Sequence, residues 1–429
     1  MLPRSAPLAD GTRAVFDLTS LHAVGGGSAF ESVLFVVAAI AGVLLGLGCW
    51  TRTASVVSWV LVGSLQARNP MLNHGEDILL VCVLFFGMLL PWGARFSLDT
   101  RGSESPPGPD RFWSFATSGY ALQIAAVYGF GALLKTGPEW FDGSAVRYAF
   151  ASDMARPLGV RLADFPEFLR AATHAVLAFE YAVPVFLLAP IVWPWLRLGA
   201  LIAIAGFHLG SALTLSLGGF PLVGIVSVLG LIPSGCWRAT DTADVTEPQP
   251  IAVERSLGGR LRNAAALGAT ALVLVWNLAS LPGASLELSP SIVRIGTSLR
   301  LGQSWWMFAP SPPRDRGWHV VPGTLEDGRV VDLFRDGAPV DWERPDDLAG
   351  LYPTFRWAEY LRRISAPEGA VHLELYAAYL CRAWNENHTG PERLRSLEIA
   401  YQRQRILFGP LEATPKRIVL RRHRCARPG

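Results

Sequence analysis

Eight apolar segments crowd the chain up to Leu281, and most of the sequence must fold around them. They run approximately Ala29–Trp50, Thr53–Arg68, Asp77–Pro91, Trp113–Lys135, Ala171–Val192, Trp195–Leu217, Phe220–Ser234 and Leu261–Leu281. A bilayer-crossing helix needs about 20 apolar residues. The second, third and seventh are short for that, so they tilt little or continue into flanking polar residues. Charged residues make up only 17% of the 429 residues, against about 25% in soluble domains. The expected fold is an all-α polytopic membrane helix bundle over residues 1–282, followed by an α+β extramembrane domain over residues 283–429.

Arginine placement gives an orientation. Arg52, Arg95, Arg101, Arg111, Arg197, Arg238, Arg255, Arg260 and Arg262 fall in one set of loops, which reads as cytoplasmic. The other side takes the N-terminal stretch, the Arg68–Asp77 loop, Thr136–Arg170 and everything after Leu281, although Arg147, Arg156, Arg161 and Arg170 run against the bias. The expected location is thus the cytoplasmic (inner) membrane, with the C-terminal domain extracytoplasmic. No cleavable signal pattern opens the chain. The peptide Met1-Leu-Pro-Arg4 reads like the middle of a connection, so a further helix is expected to precede it. Ser103–Pro109 and Arg238–Arg255 read as loops.

Beyond Leu281 the pattern changes. Trp318–Leu333 reads as two strands around Asp327-Gly328, a hairpin signal, with Pro322 marking an edge or a bulge. Leu373, Ala377, Leu380 and Trp384 recur at helical spacing. Trp357, Leu361 and Ile364 suggest another helix, and Leu397–Phe408 and Arg417–Arg422 two more strands. Of five cysteines, Cys49, Cys82 and Cys236 lie in or beside apolar segments, where a small buried thiol is the default. Cys381 and Cys425 can pair if their region lies outside the cytoplasm.

The net charge of +3, with basic residues scattered, gives no nucleic-acid footprint. Phosphate-binding and dinucleotide fingerprints are absent, as are serine-hydrolase, zinc-protease and Cys-x-x-Cys motifs. Ionisable groups beside or inside the apolar segments remain. Of 38 Lys+Arg only two are lysine, Lys135 and Lys416. Arginine stays protonated, whereas a desolvated lysine can lose its proton and act as a base. The alternative is an interfacial lysine reaching for head groups. Gly137-Pro138 breaks the helix after Lys135, and Glu139 and Asp142 are its expected partners. Glu180 and His208 lie within spans, either as a polar pocket or proton path, or as a hydrogen-bonded tie between helices through each other or a tyrosine. In Arg68–Asp77, His74, Glu76 and Asp77 are acid/base groups, or a cation site, or an interface loop with Asp77 capping a helix; three neighbouring residues cannot all face one ligand, which counts against a pure metal site. Gln303–Pro313, rich in Trp and Pro, suits packing of the outer domain on the membrane surface, or a groove for a peptide or quinone.

Tyr128-Gly-Phe-Gly-Ala-Leu-Leu-Lys135 followed by Trp140-Phe-Asp-Gly143, together with Leu90–Asp99, Glu180 with Pro184, and Gln303–Pro310, resembles the HTTM (horizontally transferred transmembrane) family, bacterial proteins similar to vitamin K-dependent γ-glutamyl carboxylase. The resemblance spans roughly Met1 to Pro310. It implies a base at Lys135 that deprotonates a reduced quinone, with oxygen and carbon dioxide as co-substrates. His74 is implied as a second catalytic residue, and Trp140, Gly143, Glu180 and His208 as the surrounding pocket. Membrane lipid and a secreted peptide or protein are the implied partners. The C-terminal region is much shorter than the animal enzyme's substrate-binding part, so carboxylation of protein glutamates does not follow. A non-enzymatic protein for maturation, export or binding of a secreted product is the alternative.

Overall fold

A computed structural model of the protein describes residues 20–25, 27–94, 97–101, 114–189, 194–233, 236, 256–408 and 413–426. The tract 103–109 and the polar stretch 238–255, both read as loops, lie outside these residues.

Every one of the eight apolar segments contains a helix. In chain order these are α1 (Ser28–Leu47), α2 (Thr51–Arg68), α3 (Gly75–Met88) and α4 (Phe115–Leu134); then, after the short helices α5 (Pro138–Asp142), α6 (Ala145–Ala151) and α7 (Pro157–Leu162), α8 (Pro166–Leu187), α9 (Pro194–Thr214), α10 (Phe220–Val228) and α11 (Leu257–Ala279). Three of them, α1, α9 and α11, are long and apolar enough on their own to cross a bilayer. Helix α4 is as long as α1 but carries Tyr120, Gln123 and Tyr128, all buried against other helices. Its polar groups find protein partners, so its mean hydropathy understates how deeply it is enclosed.

Local chemistry sets the boundaries of α4. Ser114 Oγ accepts from the Thr117 N–H at 3.2 Å, and Thr117 Oγ1 accepts from the Ser114 N–H at 3.0 Å, a reciprocal cap for the first turn. Gly137-Pro138 stops the helix, and Pro138 begins α5, where its missing N–H costs nothing. Helix α8 begins with Pro166 and contains Pro184. A side chain at Gly129 of α4 would stand 3.2 Å from the Pro184 ring; glycine there lets the two helices close and sets Lys135 opposite Glu180.

After α12 (Pro290–Ser298) the chain builds a five-stranded antiparallel sheet from β1 (Asp315–Val320), β2 (Pro322–Leu325), β3 (Val330–Asp332), β4 (Leu394–Arg405) and β5 (Lys416–Arg424). The long β4 is its spine. β1 pairs with its second half, β2 with its first half, and β5 lies along the opposite edge. The expected pair of strands from Trp318 to Leu333 is three, because the chain steps from β1 to β2 at Val321. The hairpin at Asp327-Gly328 joins β2 to β3, with Gly328 at φ 87°. Two helices, α13 (Phe355–Ile364) and α14 (Ala370–Asn387), share a core with the sheet: Leu361, Ile364, Leu373 and Ala377 meet Leu325, Leu394 and Ile399.

Cys381 of α14 and Cys425 after β5 form a disulfide. It closes a loop of 44 residues in sequence separation and constrains the unfolded chain. Replacing both cysteines by serine is expected to cost roughly 2–4 kcal/mol. Urea unfolding of wild type with and without reductant, beside the double variant, checks this: the reduced wild type should match the variant.

The sheet domain sits on the loop before α3. Arg356 of α13 pairs with Glu76 at 2.7 Å and Asp77 at 2.8 Å, and donates to the Leu72 carbonyl at 3.0 Å. Arg363 donates to the Pro70 carbonyl. The loops around 68–77, 137–156 and 214–219 therefore share one face with the sheet domain. Asp99 accepts from the Trp50 and Thr51 N–H groups, joining residues 97–101 to the turn between α1 and α2.

Candidate functional site

Lys135 lies at the end of α4, and its side chain turns back into the bundle, leaving 3% of the residue exposed. Its Nζ stands 2.7 Å from Glu180 Oε2 of α8, donates to the Gly131 carbonyl at 3.3 Å, and lies 5.1 Å from the centre of the Trp140 ring. Glu180 is equally buried. This is no lysine reaching for head groups. It is a charge pair enclosed between two helices, with an aromatic face as third neighbour.

The expected partners of Lys135 lie elsewhere. Glu139 pairs with Arg314. Burial opposes its ionisation, but hydrogen bonds from Ser311 and Arg314 outweigh that and hold its carboxyl below the usual range. Asp142 accepts from the Ser144 N–H at 2.8 Å, capping the next turn. Both carboxylates are committed locally, and the side chain of Lys135 reaches Glu180 instead.

His208 of α9 is also buried, and its Nε2 meets Tyr128 Oη at 2.9 Å. The tie is to a tyrosine, and Glu180 is not its partner. Gly224 of α10 makes room for the imidazole, since a Cβ there would fall 2.1 Å from Nε2. Phe179, Phe207 and Phe220 wall this part of the core. Tyr128, Gly131 and Lys135 follow an i, i+3, i+7 spacing, one face of α4. That spacing is the signal by which Tyr128 and Gly131 could have been found beside Lys135.

Gly143 ends α5 at φ 86°, and a Cβ there would lie 2.5 Å from Arg170 Cγ. Its role is a left-handed turn pressed onto α8. Trp140 is buried, and its Nε1 donates to the Phe308 carbonyl at 3.0 Å. The block Gln303–Pro313 penetrates further than a packing surface. Trp305 and Leu301 are fully enclosed within the helix-bundle core, and the Gly137 N–H bonds the Pro310 carbonyl at 2.8 Å. Gln303 exchanges amide hydrogen bonds with Gln123 at 2.8 and 3.0 Å and accepts from Trp305 Nε1 at 3.0 Å. Trp305, whose carbonyl lies 4.0 Å from a Cβ placed at Gly131, thus belongs to the surroundings of Lys135, which sequence spacing had no means of showing.

His74 has a different neighbourhood. Its ring stands edge-on to Phe355, 5.0 Å between centres, and its N–H donates to Asp77 Oδ2 at 2.8 Å. Burial lowers its pKa. No hydrogen bond or ion pair joins it to Lys135 among the described residues. Asp77 caps α3 and binds Arg356, the interface role expected of this loop. No grouping of metal-ligating side chains occurs among the described residues.

A side chain added at Gly131 would lie 3.7 Å from Lys135 Nζ, 3.9 Å from Glu180 Oε2 and 4.0 Å from the Trp305 carbonyl. The glycine therefore leaves a methyl-sized gap facing both charges. A base, its counter-carboxylate and a carbonyl acceptor suit an acidic O–H brought to this point.

A family model described as the HTTM domain matches residues 18–233. No curated protein and no solved structure matches the chain. The matched span holds Lys135, Glu180, Tyr128, His208 and Trp140. Trp305 and the sheet domain lie beyond it.

Proposed function

The chain is a member of the HTTM domain family, and from that premise we propose that it is a membrane enzyme in which Lys135 takes a proton from a reduced quinone. The observation that carries this reading is the buried Lys135–Glu180 pair, 2.7 Å apart, in a chain that uses arginine almost everywhere else. Away from water the charged pair and the neutral amine–carboxylic acid pair approach each other in energy, because desolvation penalises both ions. Glu180 is thus the group that can hold a proton while the Lys135 amine is free to accept another. When a hydroxyl reaches Nζ, its proton moves to Lys135, the oxyanion left on the quinol pairs with the ammonium so formed, and Glu180 keeps its own proton. Trp140 and Trp305 exclude water, which keeps that interaction strong. A bound reduced quinone would supply the reducing electrons for reaction with oxygen, and carbon dioxide would be the acceptor in a carboxylase-like outcome. The amine is the better base than a carboxylate for so weak an acid.

The cytoplasmic membrane, with the sheet domain on its outer face, is part of the same proposal. The Cys381–Cys425 disulfide supports it, since such bonds persist in oxidising compartments. Membrane lipid surrounds the helices, and a secreted peptide is the carboxylase-like substrate.

Gly131→Ala tests the reading. The new methyl makes only ordinary van der Waals contacts, and alanine is about 1 kcal/mol better than glycine within a helix. The variant should be as stable as wild type, while quinol-dependent oxygen uptake in nanodiscs falls at least about tenfold, the effect of losing access to a catalytic base. Unchanged uptake would refute the assignment of this gap.

A second reading, a non-enzymatic protein that binds or matures a secreted peptide or lipid, is favoured by one observation. Lys135 already has Glu180, Gly131 and Trp140 around its three N–H directions, the complete shell of a structural ion pair. Under that reading Lys135→Arg and Gly131→Ala leave partner capture unchanged.

A further inference from the structure

A cavity of about 310 Å³ lies between the sheet domain and the outer loops of the helix bundle. Asp153, Met154 and Ser216 form the bundle side. His319, Tyr352, Phe355, Glu359, Arg362 and Tyr401 form much of the other. Its volume is at the lower end of small-molecule sites, and it is separate from the Lys135 site, which contributes nothing to its lining.

Its polar groups are unequally satisfied. His319 is buried, with Nδ1 2.7 Å from Tyr352 Oη and Nε2 2.9 Å from Ser365 Oγ, so both ring nitrogens are occupied. Burial drops its pKa to about 3, and it stays neutral. Glu359 is 3% exposed; one carboxylate oxygen meets Arg362, and the other, Oε2, is buried without a partner. Asp153 is half-buried, accepts no hydrogen bond from the side chain of another described residue, and lies in the field of Arg362; burial outweighs that field and raises its pKa. The unsatisfied capacity is thus the buried Glu359 Oε2 and, beside it in the lining, the half-buried Asp153 carboxylate, within a wall of aromatic rings. A buried charged acceptor without a donor carries a desolvation penalty. A ligand that donates hydrogen bonds and carries positive charge removes that penalty at Glu359 and pairs with Asp153.

We propose that this cavity binds a primary ammonium group attached to a small apolar body, the ammonium between Asp153 and Glu359 and the body against Tyr352, Phe355 and Tyr401. Arg362 pairs with one oxygen of Glu359 and offsets part of the Asp153 charge as well, so the ligand's ammonium is shared by the two carboxylates. The exposed Arg403, which also lines the cavity, disfavours a second positive group on the ligand. Aromatic faces add attraction for the cation.

The test uses the full chain in nanodiscs, with empty nanodiscs subtracted, and ligand-observed NMR. Phenethylamine is the probe; 3-phenylpropionate and 2-phenylethanol share its body with other charges. Phenethylamine should bind at roughly millimolar affinity or better, and bind at least tenfold more weakly to Asp153→Asn. Glu359→Gln should weaken it as well, and neither comparator should match the amine on wild type. Asp153 accepts no hydrogen bond from the side chain of another residue among the described residues, and asparagine keeps its shape, so Asp153→Asn tests charge. No amine binding to wild type, equal binding to both variants, or tighter binding of 3-phenylpropionate overturns the proposal.

Discussion

Lys135→Met is expected to destabilise the protein by about 3–5 kcal/mol, the cost of breaking one side of a buried ion pair. Methionine fills similar volume, so the loss is electrostatic rather than a packing defect. Glu180 would be left inside the bundle without its counter-charge. It then ionises at full desolvation cost or takes a proton, and the second route sets the lower end of the range. The double variant Lys135→Met/Glu180→Leu removes both charges and should regain most of the stability, because an apolar pair of similar volume is often as good as a buried salt bridge. Denaturant unfolding of the three variants in one detergent measures this. A single variant as stable as wild type would mean that the pair is not charged in the folded protein.

Trp305→Ala is expected to cost ~3–5 kcal/mol, the usual loss for deleting a large buried ring. The ring is fully enclosed among α3, α4 and α8 core residues, and it is the donor to Gln303 that keeps the Gln123–Gln303 amide pair satisfied. Trp305→Phe should recover part of the packing but leave that acceptor short of one hydrogen bond. Thermal unfolding in nanodiscs distinguishes the variants. A loss under about 1 kcal/mol for Trp305→Ala would place residues 301–311 outside the true core, because surface substitutions stay within that range. The effects of the two sites should also not add fully, since both border the space at Gly131.

The helices were legible because apolar length is a local property: each of the eight segments became a helix within a few residues of the expected ends. The sheet domain was legible for the same reason in part. Alternation and turn residues marked β3 to β5 and both helices, while the step at Val321 that divides β1 from β2 depends on which part of β4 each one joins. Lys135, Trp140 and Glu180 were singled out by residue type and do meet. Their pairing was not readable, because Glu139 and Asp142 are nearer in sequence and only the approach of α4 to α8 at Gly129 and Pro184 decides against them. His74 was grouped with Lys135 by resemblance, yet its contacts run to Phe355 in the sheet domain. Trp305 illustrates the limit of composition: a Trp- and Pro-rich block reads as a surface seal, and only tertiary structure shows it threaded into the core. The disulfide needed the register of β5 against β4 to bring Cys425 to α14.

The most direct test of the central claim is oxygen uptake by the purified protein in nanodiscs, supplied with reduced menaquinone and bicarbonate, for wild type and Lys135→Arg. Arginine preserves the positive charge facing Glu180 but does not release its proton at any accessible pH. The account predicts quinol-dependent uptake by wild type and a loss of at least about a hundredfold in the variant, the lower bound for removing a general base, with both proteins showing the same cooperative unfolding. Undiminished uptake by folded Lys135→Arg, or none by folded wild type, would contradict it.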